Sequence, residues 1–373
     1  MPPGVFPVRG RAGRTPPEFG RGIDVNGHPV RERIRHNSTG AGPVPGVGHS
    51  SAKAILLGEH TVVHGTPAIA FPLPALPVRA LARPGIAGVP SDVPAEGGFR
   101  FLAGDPHTVT TASGPRVAVE EALRRWGFDG DVVDVVVECD IPLARGLGSS
   151  AACAGAAVRA VADLYGRTVD PGTLYELVQC GEQVAHGRAS GIDASAVLAS
   201  GPILFHQGTV RPMEIGLDAA LVIADTGVPG STQHAVAGVR RVLERDPRAA
   251  EHLLARAADL IGSAAADLSA GRAESLGTTM LEFQGLLAEL GVSTPHIDAL
   301  VTAALDAGAF GAKLTGAGLG GCVLALTETG GALAVSAALR RAGAVQTWTV
   351  GTASLRSASL SLSSSRPELD THR

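Results

Sequence analysis

The chain predicts an α+β fold, and three observations predict it. Strand-like and helix-like segments are mixed without the strict βαβ repetition of a doubly wound sheet. The run DVVDVVVECD at 131–140 is dense in β-branched residues, which suit a pleated, half-buried surface. The run SSAACAGAAVRAVADLYG at 149–166 reads as a helix of small residues.

Taken in order, residues 1–50 contain eight Pro and ten Gly, with seven Arg against three acids. Such a segment buries too little apolar surface to offset its ordering entropy, so 1–48 is read as a disordered extension. SAKAILLGEH (51–60) reads as a strand and TPAIAFPL (66–73) as a second short apolar run. After the strand at 131–140 and the helix at 149–166, TLYELVQCGEQVAHG (173–187) is another helix and PILFH (202–206) returns to strand. AALVIADTG (219–227) opens a second unit, with helical stretches near 233–246, 249–268 and 273–290. AKLTGAGLGGCVLALT (312–327) has the look of a glycine-rich hairpin; a helix near 331–342 and a strand, VQTWTVG (345–351), complete the unit. The Ser-rich segment 356–373 is expected to fray. Two domains follow, at 49–212 and 213–355, as the length of 373 residues also suggests.

Composition narrows the function. Apolar residues make up 45% of the chain and charged residues 18%, enough for a sizeable core. A net charge of −4 and an aromatic content of 3% speak against a nucleic-acid reader. No apolar run is long enough to span a bilayer, and the Arg-containing start lacks the apolar region of a secretory signal. The four cysteines, Cys139, Cys153, Cys180 and Cys322, are scattered, which reads as reduced cytosolic thiols rather than a zinc site or disulfide framework. Of 31 basic residues only Lys53 and Lys313 are lysine, and both lie beside glycine-containing segments. A compact ammonium and a forked guanidinium are not equivalent at a crowded phosphate or proton-transfer site.

Three glycine segments carry the chemistry. In IPLARGLGSSAACAGAA (141–157), Gly146-Leu147-Gly148-Ser149-Ser150 leads from a strand end into the Ala-rich helix. Glycines let backbone approach an anion, and the first N–H groups of a helix are unpaired donors. Together they make a phosphate site, and two serine hydroxyls can reach a phosphate oxygen or a magnesium ion. There is no Walker G-x-x-x-x-G-K-[ST]. Gly146-x-Gly148-x-x-Ala151 and Gly316-x-Gly318-x-x-Gly321 match the dinucleotide fingerprint literally, but that fingerprint needs its glycines directly after the strand and before a helix; a stretch containing Pro142 intervenes in the first, and the strand-like CVLALT follows the second. Lys53 with Gly58-Glu59-His60 reads either as a polar substrate contact or as a capped turn. Lys313 to Gly321 reads as another phosphate-facing loop or as close strand packing. Glu182 lies in a helical run. Asp193, among small residues at 189–195, has room for a substrate but equally suits a helix cap.

Taken together, these segments resemble the family of small-molecule kinases that includes galactokinase, homoserine kinase, mevalonate kinase and phosphomevalonate kinase (GHMP). The segment Pro142-x-x-x-Gly146-Leu147-Gly148-Ser149-Ser150-Ala151-Ala152 matches its ATP-binding motif, and Lys313 to Gly321 resembles its third, glycine-rich motif. The stretch from Lys53 to Gly65 is similar to the first motif of the mevalonate-phosphorylating branch, as is Glu182 to Gly187 followed by Ser190 to Asp193. One departure is that Gly227 and Gly230 stand where animal members of that branch carry Lys and Arg. The resemblance covers about 50–352 and implies a ribosomal-protein-like N-terminal domain and a ferredoxin-like C-terminal one, with the site between them.

It further implies transfer of a phosphoryl group from ATP, with Mg2+, to the primary hydroxyl of (R)-mevalonate, a step toward isoprenoid precursors in the cytoplasm. Asp193 is then expected to take the hydroxyl proton, with Lys53 as counter-charge to Asp193 and to the transferred group. Pro142, Gly146, Leu147, Gly148, Ser149, Ser150, Ala151, Gly316 and Gly318 would meet the nucleotide. Ser150 and Glu182 would hold the metal, and Glu59, His60 and Thr232 would touch the substrate. The expected partner is a small molecule, with no nucleic acid or membrane, on a monomer or homodimer. Rival readings are a sibling kinase acting on phosphomevalonate or a sugar, and a catalytically inactive ATP-binding sensor.

Overall fold

The computed structural model describes residues 44–86, 98–103, 113–186 and 189–356. Most of the expected extension (1–43), the tail 357–373, and Gly187 and Arg188 lie outside the described residues. Among those described, mixed helices and antiparallel sheets give the α+β fold that the pattern predicts.

The first sheet is organised by a long strand β2 (Ala68–Pro84), which pairs with β1 (Gly46–Leu57) along one edge. Its other edge is shared by β5 (Ile203–His206) near its start and β4 (Val133–Cys139) near its end. Strands β3 (Gly98–Ala103) and β6 (Thr209–Pro212) complete the sheet, and every pairing is antiparallel. Helices α1 (Gly114–Arg125), α2 (Ser149–Leu164), α3 (Pro171–His186) and α4 (Ile192–Leu198) belong to this half. Helix α2 is buried along almost its whole length, and its run of alanines suits that position between sheet and helices.

Two expectations need correction here. Residues 46–48, read as part of the extension, are the first residues of β1. Their glycines serve packing: a Cβ on Gly48 would lie 2.0 Å from the Ala156 carbonyl oxygen of α2, and one on Gly46 2.1 Å from that of Ala160. The Val47 amide also donates to Asp163 Oδ2 at 3.0 Å. The second apolar run was expected to end at Leu73, before Pro74 and Pro77. The strand instead continues to Pro84: a register shift between Ser51 and Ala52 leaves 74–76, with Pro74, as a bulge, and pairing resumes with Pro77 opposite Ser51.

The second sheet holds β7 (Ala220–Asp225), β8 (Gly311–Thr315), β9 (Cys322–Thr327) and β10 (Gln346–Gly351) in the order β10-β7-β9-β8, all antiparallel. Numbered within this half, the order is 4-1-3-2, the ferredoxin-like arrangement. Helices α5 (Thr232–Arg245), α6 (Pro247–Ala270), α7 (Ala273–Glu289) and α8 (Pro295–Asp306) fill the connection from β7 to β8, and α9 (Ala332–Arg341) joins β9 to β10. The two sheets meet where Thr315 Oγ1 accepts from the Ile55 amide at 3.1 Å and donates to the Ile55 carbonyl at 3.0 Å. That pair of hydrogen bonds places the end of β8 against β1, beside Lys53. Among the described residues no helix is long and apolar enough to cross a membrane.

Candidate active site

Strand β4 ends at Cys139, and residues 140–148 lead to α2, whose first turn carries Ser149 and Ser150. Gly148 caps that helix at φ 71°, a left-handed conformation that glycine adopts without a Cβ penalty, and no side chain caps the turn. The N–H groups ahead of the first intrahelical bond therefore point outward as donors, and the helix dipole adds positive potential there. The loop is held from the other sheet. Arg145 Nε donates to Asp225 Oδ1 at 2.8 Å, Arg145 Nη2 to the Gly227 carbonyl at 3.0 Å, and the Gly230 amide to the Ala144 carbonyl at 2.8 Å. Gly227 and Gly230, where basic residues were noted as missing, thus serve this brace through their main chain. Leu147 and Ala151 turn their side chains into the core, so any nucleotide contact they make is through backbone; the Leu147 carbonyl already accepts from the Lys53 amide at 3.0 Å.

That hydrogen bond docks β1 under the loop, and the Lys53 side chain runs past Gly148 toward α4. A Cβ on Gly148 would sit 2.8 Å from Lys53 Cγ, so the glycine makes space for the lysine stem. Lys53 is 2% exposed, and its Nζ lies 2.8 Å from Asp193 Oδ1, whose side chain is 39% exposed. Asp193 sits in the first turn of α4 behind Gly191, the N-cap at φ 91°. It is not the cap itself, which removes that alternative. A buried cation thus backs a carboxylate that stays open to a ligand.

Glu59 and His60 follow β1 on a tight turn, with His60 at φ 63°. Both are buried. Glu59 Oε1 accepts from Lys313 Nζ at 2.5 Å, and Lys313 also donates to the Leu314 carbonyl at 2.6 Å. Burial pushes the Glu59 carboxyl up and the Lys313 ammonium down, and the attraction between them opposes both shifts. His60 Nε2 lies 2.8 Å from the Ala317 carbonyl oxygen. A carbonyl can only accept, so Nε2 carries the proton. Burial lowers the His60 pKa to about 4, leaving the ring neutral near pH 7.

These residues surround one cavity of about 120 Å³. Lys53, Glu59, His60, Glu182, Asp193, Thr232 and Gly316 all line it, so five separate stretches of sequence converge. Glu182 is buried on α3, and Thr232 opens α5 just after its Ser231 cap. Gly318 does not line the cavity: a Cβ there would lie 2.4 Å from the Val292 carbonyl oxygen, so packing accounts for that glycine. Pro142, Gly146, Ser149 and Ser150 lie on the loop and helix end beyond the cavity lining. The sequence reading missed Gln179, one turn before Glu182 on α3, and the apolar wall of Val62, Val63 and Val236. Gln179 belongs to no motif; only its i, i+3 spacing to Glu182 could have flagged it.

For magnesium, the donor set is chemically suitable. Ser150 Oγ and the Gly181 carbonyl oxygen flank Gly114 at 3.1 and 3.0 Å from the point where a Cβ would sit, which brings Ser150 near the residue before Glu182. A hydroxyl and a buried carboxylate are hard oxygen donors, and magnesium generally takes few protein ligands and completes its shell with phosphate and water. Among the described residues there is no cluster of three or more His, Cys, Asp or Glu that would suggest a dedicated protein cage.

Comparison with known proteins bears on the family and the fold. Residues 114–201 match the family described as GHMP kinases N terminal domain, and 264–345 match GHMP kinases C terminal. A mevalonate kinase of Aeropyrum pernix is 35% identical over 288 residues, 74% of this chain and 87% of that protein. One from Pyrococcus horikoshii is 34% identical over 317 residues, 79% of this chain and 92% of that protein. The fold is similar to the crystal structure of L. major mevalonate kinase in complex with R-mevalonate, with a TM-score of 0.69 and 25% identity, covering 83% of this chain and 96% of that one.

Proposed function

The chain belongs to the GHMP kinase family, and on that premise we propose that it transfers the terminal phosphoryl group of ATP to the primary hydroxyl of (R)-mevalonate, giving ADP and 5-phosphomevalonate. The observation that carries this reading is the Lys53–Asp193 pair at 2.8 Å on the wall of a cavity that also holds Glu182 and Gly316. Phosphoryl transfer asks a protein mainly for positioning and for charge placed where charge develops. The Gly146–Ser150 loop and the first N–H groups of α2 receive the nucleotide phosphates. Asp193 accepts the hydroxyl proton as the alcohol oxygen bonds to phosphorus and the bond to the ADP oxygen breaks. Lys53 offsets the negative charge shared by Asp193 and the transferred group. Ser150 and Glu182 would hold a magnesium ion, which when bound supplies charge neutralisation at the phosphates.

Glu59, His60 and Thr232 line the substrate side, His60 chiefly by fixing the turn onto Ala317. In this reading residues up to 212 form the nucleotide-binding body, starting at Gly46 rather than 49, and 213–355 form its partner across the cleft. The cytoplasm, where ATP and magnesium are plentiful, is the compartment it assigns. A coupled ADP-release assay with mevalonate, phosphomevalonate, galactose and homoserine tests the proposal. Turnover confined to mevalonate is expected. Preference for any other acceptor, or ATP binding without ADP release, would overturn it.

A further inference from the structure

Several polar atoms around the cavity are already committed. Lys53 faces Asp193, Lys313 is held by Glu59 and the Leu314 carbonyl, and His60 Nε2 is on the Ala317 carbonyl. Gln179 is different. Its Nε2 donates to the Ala189 carbonyl at 3.0 Å, while its Oε1 is shielded from solvent and receives no hydrogen bond among the described residues. The amide cannot be turned round, because a carbonyl needs the NH2 end. The oxygen is therefore the unpaired end of a side chain whose residue borders the cavity. A buried acceptor left unmet carries the desolvation penalty of the group with nothing to offset it, and so calls for a partner.

We propose that Gln179 is a substrate-binding, specificity-determining residue whose Oε1 accepts a hydrogen bond from the tertiary C3 hydroxyl of the acceptor alcohol. The inference rests on the reading of the substrate as mevalonate. That molecule carries two hydroxyl donors, and Asp193 takes the primary one. The tertiary hydroxyl sits two carbons from the carbon that bears the reacting oxygen, so its acceptor must border the same end of the cavity. Gln179 does: it lies one helical turn from Glu182 and ties down Ala189, four residues before Asp193. Of the other carboxylates bordering the cavity, Glu59 follows β1 on a separate element, and Glu182 is the one assigned to magnesium. Sites that hydrogen-bond a substrate hydroxyl discriminate strongly against analogues lacking it, because the buried partner stays unmet.

The test compares mevalonate with 5-hydroxy-3-methylpentanoate, which lacks only the C3 hydroxyl, on the wild type, Gln179→Leu and Gln179→Met. The expected result is a fall in kcat/KM for mevalonate of at least about tenfold, mainly through KM, with the deoxy analogue changed by less than about twofold. KM for ATP and the magnesium dependence should not move. Equal losses on both alcohols would show that the amide only braces the Ala189 carbonyl, and would overturn the proposal. So would a shift in magnesium requirement, unchanged kinetics, or a hydroxyl-dependent loss in Glu59→Gln but not in the Gln179 variants. The two readings fail separately. A wild type active on mevalonate with indifferent variants removes this inference alone; a wild type inert toward mevalonate removes the substrate assignment and this inference with it.

Discussion

Gly146 and Gly316 meet backbone to backbone: a Cβ on Gly316 would lie 2.5 Å from the Gly146 Cα, and one on Gly146 2.9 Å from the Gly316 Cα. Both residues are in left-handed conformations, at φ 77° and 85°. One belongs to the loop that opens α2, the other to the turn between β8 and β9. The second half of the chain therefore sets the height of the first half's phosphate loop, with no side chain in between.

Gly316→Ala should consequently harm nucleotide use before anything else. Its Cβ meets backbone that cannot swing aside, at a φ that alanine rarely adopts. We expect kcat/KM for ATP to fall at least about tenfold, and the melting temperature to drop by several degrees, as a cost of about 1–3 kcal/mol implies. Gly330→Ala, where a Cβ meets nothing within 4 Å, is the control. Equal behaviour of the two variants in ATP titrations and thermal melts would show that the loops tolerate separation.

Asp193→Asn keeps the shape of the residue beside Lys53 and removes the proton acceptor. Turnover should fall about 10²–10⁴-fold, the usual cost of losing a general base, with ATP affinity nearly unchanged. Single-turnover kinetics and nucleotide titration read the two effects apart. Near wild-type turnover would strip Asp193 of its role.

What could be read from the sequence was whatever a local pattern encodes. The glycine-serine loop, the β-branched strand at 133–139 and the alanine helix announce themselves through short-range rules. The bias that leaves two lysines among 31 basic residues pointed to both buried ammonium groups in advance. Features set by distant contacts were not legible. Gly46 and Gly48 look like linker until the α2 backbone is seen against them. Lys313 gives no sign that its partner is Glu59, and β2 hides behind its own prolines. Helix α8 was a different miss. Thr294 accepts from the Ile297 amide ahead of Pro295, a start signal present in the sequence and not used.

The Lys313–Glu59 pair supports a double-mutant prediction. Both groups are essentially unexposed, and the Phe283 ring lies 5.7 Å from Lys313 Nζ. Lys313→Met leaves a buried carboxyl without its counter-charge, which should cost about 3–5 kcal/mol. Adding Glu59→Gln removes that stranded charge, so the double variant should be more stable than Lys313→Met alone. Denaturant unfolding of the four proteins measures the coupling. A double variant as unstable as the summed single losses would show that the two side chains do not act as a pair.

His60 makes stability depend on pH with a definite sign. Burial holds its folded pKa at about 4, below the ordinary 6.5, so the unfolded chain binds the proton first as pH falls. The stabilisation is present above pH 6.5 and is lost progressively down to pH 4, to at most about 3 kcal/mol. His60→Gln keeps an N–H for the Ala317 carbonyl and has nothing to titrate. Its stability should therefore fall less steeply than that of the wild type between those pH values. Parallel curves in unfolding measurements across this range would refute the assignment.

Lys53→Arg is the sharpest test of why this Arg-biased chain keeps a lysine here. The stem of Lys53 runs beneath Gly148, with Cγ and Cε 2.8 and 3.1 Å from the point where a Cβ would sit, and its ammonium ends 2.8 Å from Asp193. A guanidinium is wider and planar, and it presents a fork of donors instead of one compact charge. With Lys53 only 2% exposed, the extra atoms must displace Asp193 or the phosphate loop, or intrude on the cavity that Lys53 lines. Each of these spoils the in-line geometry on which the transfer depends. Turnover should fall at least about tenfold, equivalent to roughly 1.4 kcal/mol of lost transition-state stabilisation. Arg341→Lys, on the exposed end of α9, should change little and controls for the substitution chemistry itself. Matched activity of Lys53→Arg and wild type, at equal folding by circular dichroism, would reduce the retained lysine to an accident of composition.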